Sequence, residues 1–281
     1  MKKKVMPVIQ YSFAILVLLF TLAPIGWMFI TSISYHKDLI SVPLKWIPPA
    51  VTFQRYIDIF TNPDNDIAYA FKMAMFNSLL VCGIVTLISL TIGLLASYAF
   101  ARLKFAFKDK LMYLILFTFM VPSVVLVIPL YLMVSRLGML DSKVTLIALY
   151  LSMVLPFVIW VMQSYFRSIS KTYEESAALE GCNRFQVLWY IYLPMARPGV
   201  IATAILSFLI AWDEFFLSLI FTSTLQAKTI SVAIAEFSGK HYVDYAMIAT
   251  GGIIAAIPPI LITLFFQKYI VMGMTSGGIK E

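Results

Sequence analysis

The chain has 281 residues, of which 61% are hydrophobic and 12% charged, with a net charge of +7 and a mean hydropathy of +0.91. A soluble domain is about 45–50% apolar and about 25% charged, so the composition excludes an ordinary water-soluble globule and points to lipid as the solvent. The charge is a matter of topology and not of nucleic-acid binding, because no soluble segment interleaves a basic patch with aromatics.

Six apolar runs are long enough to cross a bilayer, which takes roughly 20 residues as a helix. They are Val8–Ile33, Phe76–Ala101, Leu111–Ser135, Val144–Tyr165, Gly199–Phe221 and Tyr245–Met272. Lipid offers no partner for backbone groups, so each run is expected to be helical. They are too continuously apolar for the strands of a membrane barrel. The fold class expected is an all-α polytopic membrane protein, one domain over residues 1–281.

The first run follows Lys2–Lys4, a basic start like that of a signal peptide. It is longer than the usual apolar core of such a peptide and has no clear A-x-A site, so it reads as a retained anchor. The first outer loop, about Ser34–Met75, has Pro48-Pro49 and the turn-rich "NPDND", with "FQRYIDIF" as a short amphipathic helix between them. In the second run Ser89, Gly93 and Ser97 recur every four residues, a spacing that lets helices approach closely. Pro24, Pro122, Pro129, Pro156, Pro258 and Pro259 fall inside spans, where each removes a helix hydrogen bond and favours a kink.

Thirteen of the 21 Lys and Arg residues lie on the side that holds the N-terminus, among them Arg102, Lys104, Lys108, Lys110, Arg167 and Lys171. Basic residues favour the cytoplasmic side, so both termini are expected there. Cys82 lies in the second run and Cys182 in a cytoplasmic loop, so the two do not form a disulfide or a metal site. His36 and His241 both fall in outer loops. There is no G-x-x-x-x-G-K-[ST] loop, no H-E-x-x-H and no nucleophile beside a histidine in a span, which leaves a catalytic centre unsupported.

The cytoplasmic loop "EESAALEGCNRFQVLWYIYLP" (Glu174–Pro194) breaks the apolar pattern. Thr172 through Glu175 fits a capping box, with Thr172 as N-cap and Glu175 reaching back. Glu174 and Glu175 sit in the first turn, where the helix dipole favours negative charge. Gly181 stands where a helix ends in a left-handed turn, and Asn183 can cap a second helix. Pro198 marks the start of the fifth span. This helix–turn–helix presents a small face at Ala177 and Ala178. Its chemistry alone leaves two readings open, a protein dock or a folded interfacial loop.

Within the fifth run Asp213 and Glu214 are the two acids that fall inside a predicted span. Ionisable groups there face a cavity or a partner. Trp212, Asp213 and Glu214 are therefore candidates either for contact with a passing substrate or for a gate or partner contact.

The loop resembles a motif of the permease subunits of binding-protein-dependent ABC importers. That motif is E-A-A, three residues, G, nine residues, then I-x-L-P. Glu175-Ser176-Ala177, Gly181, Ile191 and Leu193-Pro194 match every spacing, with Ser176 in place of the first alanine. "NSLLVCGIVTLISLTIGLLASYAFARLKF", "AWDEFFLSLIF" and the glycine-rich "YIVMGMTSGGIKE" are similar to the carbohydrate branch that includes the smaller maltose permease subunit. The resemblance implies the type I ABC importer permease fold in a prokaryotic plasma membrane. It implies a non-catalytic subunit that binds no cofactor itself, with ATP and Mg²⁺ on a partner ATPase. The implied partners are a second permease subunit, two ATP-binding subunits and an extracytoplasmic solute-binding protein, with lipid around them and no nucleic acid. Glu174, Glu175, Ser176, Ala177, Ala178, Gly181, Ile191, Leu193 and Pro194 become the expected ATPase-coupling residues. A sugar, oligosaccharide or polyol is the expected cargo. The alternatives are a non-sugar solute such as glycerol phosphate, or a self-sufficient secondary transporter, which leaves the motif spacing unexplained.

Overall fold

The computed structural model describes residues 2–61, 66–237 and 243–276. The turn expected at Asn62–Asn65, His241 and the end of the glycine-rich tail lie outside the described residues. Fourteen α-helices and one π turn make up the described secondary structure, and the described residues include no strand beyond an isolated Ser34–Val51 bridge. In chain order the helices are α1 (Lys2–Ile33), α2 (His36–Leu39), α3 (Gln54–Thr61), α4 (Asp66–Arg102), α5 (Lys108–Met120), α6 (Ser123–Arg136) and α7 (Lys143–Ser168). After these come α8 (Lys171–Leu179), α9 (Arg184–Val187), the π turn Leu188–Tyr192, α10 (Leu193–Met195) and α11 (Arg197–Trp212). The chain closes with α12 (Phe216–Phe221), α13 (Ile230–Ala235) and α14 (Tyr245–Ser276).

Among the described residues four helices are long and apolar enough to span a membrane: α1 from Gln10, α4, α7 and α14 to Ile270. The other two expected spans are broken. Leu111–Ser135 is α5 and α6, bent by 91°, and Gly199–Phe221 is divided between α11 and α12; ahead of that span, α9–α10 meets α11 at 81°. The first break has a local cause. Val121 precedes Pro122 and is extended, at φ −73° and ψ 121°, as the residue before a proline favours. Pro129, Pro156, Pro258 and Pro259 stay inside continuous helices. The fifth run also stops short as a helix: α11 ends at Trp212, and α12 begins only at Phe216.

The chain forms two compact units. The first comprises Met1–Lys72 and Ala233–Ile257. Here Arg55 donates to the carbonyls of Ser34 and Ser32 at 3.0 and 3.3 Å, and Ser32 shares a 2.7 Å hydrogen bond with Tyr56. The Arg55 bonds satisfy one carbonyl in the last turn of α1 and one just past it, groups that a helix end leaves unpaired. "FQRYIDIF" does form a helix, α3, with Ile59 fully buried.

The second unit comprises Met73–Val232 and Pro258–Glu281. Its centre is α7, against which α11, α5 and α12 pack. The small residues of α4 meet α7 closely. Ser97 donates to the Ile159 carbonyl at 3.1 Å, and a Cβ added at Gly93 falls 2.5 Å from Val158 Cγ1. Gly199 on α11 plays the same part against the Tyr165 ring of α7. The connections at Asp141 and at Ser223–Lys228 in this unit are pinned by polar side chains. Buried Asn77 donates to the carbonyls of Leu225 and Lys228 and accepts from Lys143 at 3.0 Å. Asp141 accepts from both N–H groups of Ser223–Thr224 and from the Thr224 hydroxyl.

Candidate functional site

The loop from Lys171 to Met195 folds as two helices around a glycine turn. Ser170 caps α8, accepting from the Thr172 N–H at 3.3 Å. This corrects the expected cap at Thr172. Two cap-competent residues lie two apart, and the earlier one stops the chain while Thr172 enters the first turn. Gly181 holds φ +80°, its N–H bonds the Ala178 carbonyl at 3.1 Å, and the Cys182 N–H bonds the Ala177 carbonyl at 3.0 Å. These two bonds are the Schellman ending of a helix. Asn183 then opens α9 with a full capping box: it accepts from the Gln186 N–H at 2.9 Å, and its own N–H donates to Gln186 Oε1 at 2.8 Å.

Burial sorts the expected coupling residues. Glu175, Ser176, Ala178 and Gly181 are exposed, as is Leu179 at 91%. Ala177, expected on the presented face, is instead buried. It lies one residue away from Ala178 on a helix, about 100° around the axis, and so faces inward. Glu174 also points back. It pairs with Arg184 and accepts from the Tyr192 hydroxyl at 3.4 Å. Ile191 and Leu193 are half-buried and Pro194 is exposed. Glu175 and Ala178 line an open groove of about 610 Å³ with Arg102, Lys104, Lys171 and Arg184. Four cations against Glu174 and Glu175 make that groove positive overall.

What ties the loop to the spans is one residue of the stretch Ile191–Pro194, which the sequence reads only as the join to the fifth span. Tyr192 ends the π turn and is fully buried. Its ring meets Tyr98 of α4 at 5.2 Å and Phe166 of α7 at 5.7 Å, both edge-on. The Arg102 guanidinium lies 4.9 Å from the Tyr192 ring centroid and also donates to the Ile169 carbonyl at the start of the loop. Aromatic pairs of this kind contribute about 0.5–1.5 kcal/mol beyond burial. Tyr192 thus binds the far end of the loop to α4, α7 and, through Glu174, to α8. The signal available was the run of rings Trp189, Tyr190 and Tyr192 in and beside the motif, but which ring turns inward depends on the π turn.

The second group of expected residues is brought together only partly. Trp212 is buried and stacks on Phe208 at 5.4 Å, so one ring face is already covered. Asp213 is exposed at the end of α11. The Glu214 carboxylate accepts from the N–H groups of Leu217 and Ser218 at 2.8 and 3.2 Å and so caps α12. Among the described residues no cluster of three His, Cys, Asp or Glu side chains is placed to hold a metal.

These features define a multi-pass helical membrane protein with a rigid polar loop held at one end of its spans. Residues 89–276 match the family described as "Binding-protein-dependent transport system inner membrane component", and the chain belongs to it. It is 36% identical over 267 residues to the trehalose transport system permease protein SugB of Mycobacterium tuberculosis, covering 94% of each chain. It is 31% identical to the trehalose/maltose transport system permease protein MalG of Thermococcus litoralis, covering 95% of this chain and 94% of that one. A crystal structure of a bacterial ABC transporter involved in the import of the acidic polysaccharide alginate contains a chain of the same fold. Its TM-score is 0.77 at 20% identity, covering 95% of this chain and 97% of that one. The chain is therefore a permease subunit of an ABC importer in the prokaryotic plasma membrane, and ATP hydrolysis belongs to separate subunits.

Proposed function

We propose that the chain is a single permease domain with six crossings and cytoplasmic termini. It forms half of the path for a carbohydrate: a sugar, an oligosaccharide or a polyol. A second permease subunit supplies the other half, two ATP-binding subunits drive it, and an extracytoplasmic binding protein delivers the cargo. The named substrates of the trehalose and trehalose/maltose permeases support the cargo class. Fold alone does not decide cargo.

The single observation that carries the coupling role is the division of the loop into an exposed tip and a buried root. The tip, Glu175, Ser176, Ala178 and Leu179, faces outward on a turn fixed by Gly181. The root, Tyr192, is locked between two spans. A partner that moves the tip therefore moves α4 and α7 with it, a rigid-body switch between two arrangements. Trp212, Asp213 and Glu214 act as gate or partner residues in this reading. The bonds from the Leu217 and Ser218 N–H groups occupy Glu214, and Phe208 covers one face of Trp212.

The test is substitution at the tip. In Glu175→Lys and Gly181→Pro, membrane insertion stays normal. ATP hydrolysis ceases to respond to substrate-loaded binding protein, and uptake falls at least about tenfold, a loss of about 1.4 kcal/mol in coupling. Normal uptake in both variants overturns the docking assignment.

A further inference from the structure

A second groove, of about 610 Å³, lies on the other flank of the loop. Its walls are apolar: Leu90, Leu94 and Leu95 of α4, Trp189 and Leu193 of the loop, and Val200 of α11. That volume falls within the about 300–1,000 Å³ of small-ligand sites. Its polar lining residues are Thr91 and Arg197. Thr91 is satisfied within its own helix, donating to the Leu87 carbonyl at 2.8 Å.

Arg197 is the anomaly. It is exposed, and among the described residues it makes no hydrogen bond or ion pair. It is the first residue of α11, a 16-residue helix with no acidic residue in its first turn. A cation at a helix N-terminus adds to the positive end of the helix dipole and is unfavourable there. The guanidinium and the dipole together create a positive site with no anion supplied by the chain. An apolar protein helix laid in this groove would bury an unpaired guanidinium, which is strongly unfavourable. Water alone would leave the leucine wall exposed.

The adjoining surface has the chemistry of a membrane boundary. Phe185 and Trp189 are exposed, with rings stacked at 6.3 Å, and Tyr190 beside them is 72% exposed. Aromatic residues of this type gather at headgroup level, and anionic lipids are attracted to basic residues on the cytoplasmic leaflet.

We propose that this groove holds one acyl chain of an anionic phospholipid, with the lipid phosphate on Arg197. The phosphate supplies the missing anion for the guanidinium and the helix end, and the acyl chain covers the leucine wall. The lipid then bridges α4, the root of the loop and α11. The inference rests on the reading of the loop as cytoplasmic. Its test is scored on lipid alone, whereas the docking role is scored on Glu175→Lys and Gly181→Pro, so the two can fail separately.

The assembled transporter is stripped of lipid in detergent and offered equal amounts of phosphatidylglycerol and phosphatidylcholine. Native mass spectrometry reads what is retained. The intact protein is expected to prefer phosphatidylglycerol about fivefold, the gain of one basic residue near a charged headgroup. Arg197→Gln reduces the preference to parity while still retaining lipid. Val200→Trp, which fills the groove, lowers retention of both lipids. An unchanged preference in Arg197→Gln overturns the proposal. So does loss of bound phosphatidylglycerol to millimolar inorganic phosphate, because the site is then one for a free anion. Efficient crosslinking of a Leu94→Cys variant to the partner permease also overturns it, because the groove is then covered by protein.

Discussion

At Asp141 one side chain ties the connection between α6 and α7 to the segment that follows α12. The residue holds φ 58°, a left-handed conformation that aspartate tolerates better than most. Burial alone raises a carboxyl pKa. Here the Thr224 hydroxyl, the N–H groups of Ser223 and Thr224 and the charge of Lys228 outweigh it and hold Asp141 below the usual carboxylate range. A depressed native pKa means that the ionised form stabilises the fold. That stabilisation is complete above the unfolded value near about 3.9 and disappears as pH falls through the lower folded value. The expected result is that Asp141→Asn lowers the melting temperature of the detergent-purified protein at pH 7, and that the gap from the wild type closes under strong acid. A gap independent of pH assigns the loss to packing and not to charge.

At the level of elements, the contact of α4 with α7 has no spare room. Gly93 faces Val158, a β-branched residue with one strongly preferred rotamer in a helix, so the neighbour yields poorly. Overpacking a core typically costs about 1–3 kcal/mol. Gly93→Leu is therefore expected to lower the yield of monodisperse protein and its melting point, and Gly93→Ala to do so less. Equal behaviour of Gly93→Leu and the wild type in fluorescence-detected size exclusion would show that the helices separate freely. The stripe of Ser89, Gly93 and Ser97 was readable from spacing alone, as were the glycine turn at Gly181 and the cap at Asn183, because each is local chemistry. The start of α8 was misplaced because Ser170 and Thr172 are both competent caps and only the spacing to Glu175 favoured the second. The inward turn of Ala177 and the role of Tyr192 were not readable, since both depend on which helices meet. The 91° break had its proline in view at Pro122, yet Pro129, Pro156 and Pro258 look alike in sequence and leave their helices whole. What distinguishes Pro122 is the extended conformation of Val121, a feature of the folded backbone.

Over the whole molecule, the cluster of Tyr192, Tyr98, Phe166 and Arg102 fixes the root of the loop proposed to dock the ATPase. Truncating a buried aromatic costs about 3–5 kcal/mol, so Tyr192→Ala is expected to loosen the root while the tip still docks. Its signature is continued co-purification with the ATPase and continued ATP hydrolysis, with uptake lost. Tyr192→Phe keeps the ring and loses only the bond to Glu174, so uptake recovers most of its wild-type rate. Loss of co-purification in Tyr192→Ala would place the residue in the dock itself. The right-angled elbow between α5 and α6 has a consequence for the surrounding bilayer. Thirteen and fourteen residues give rods of about 20 Å, each shorter than the hydrocarbon layer of about 30 Å. Neither arm crosses alone, and the last carbonyls of α5 lack the helical partners a straight span provides. Such carbonyls persist at depth only against protein or beside water. The elbow therefore marks a place where protein or water must meet the backbone and lipid is held away.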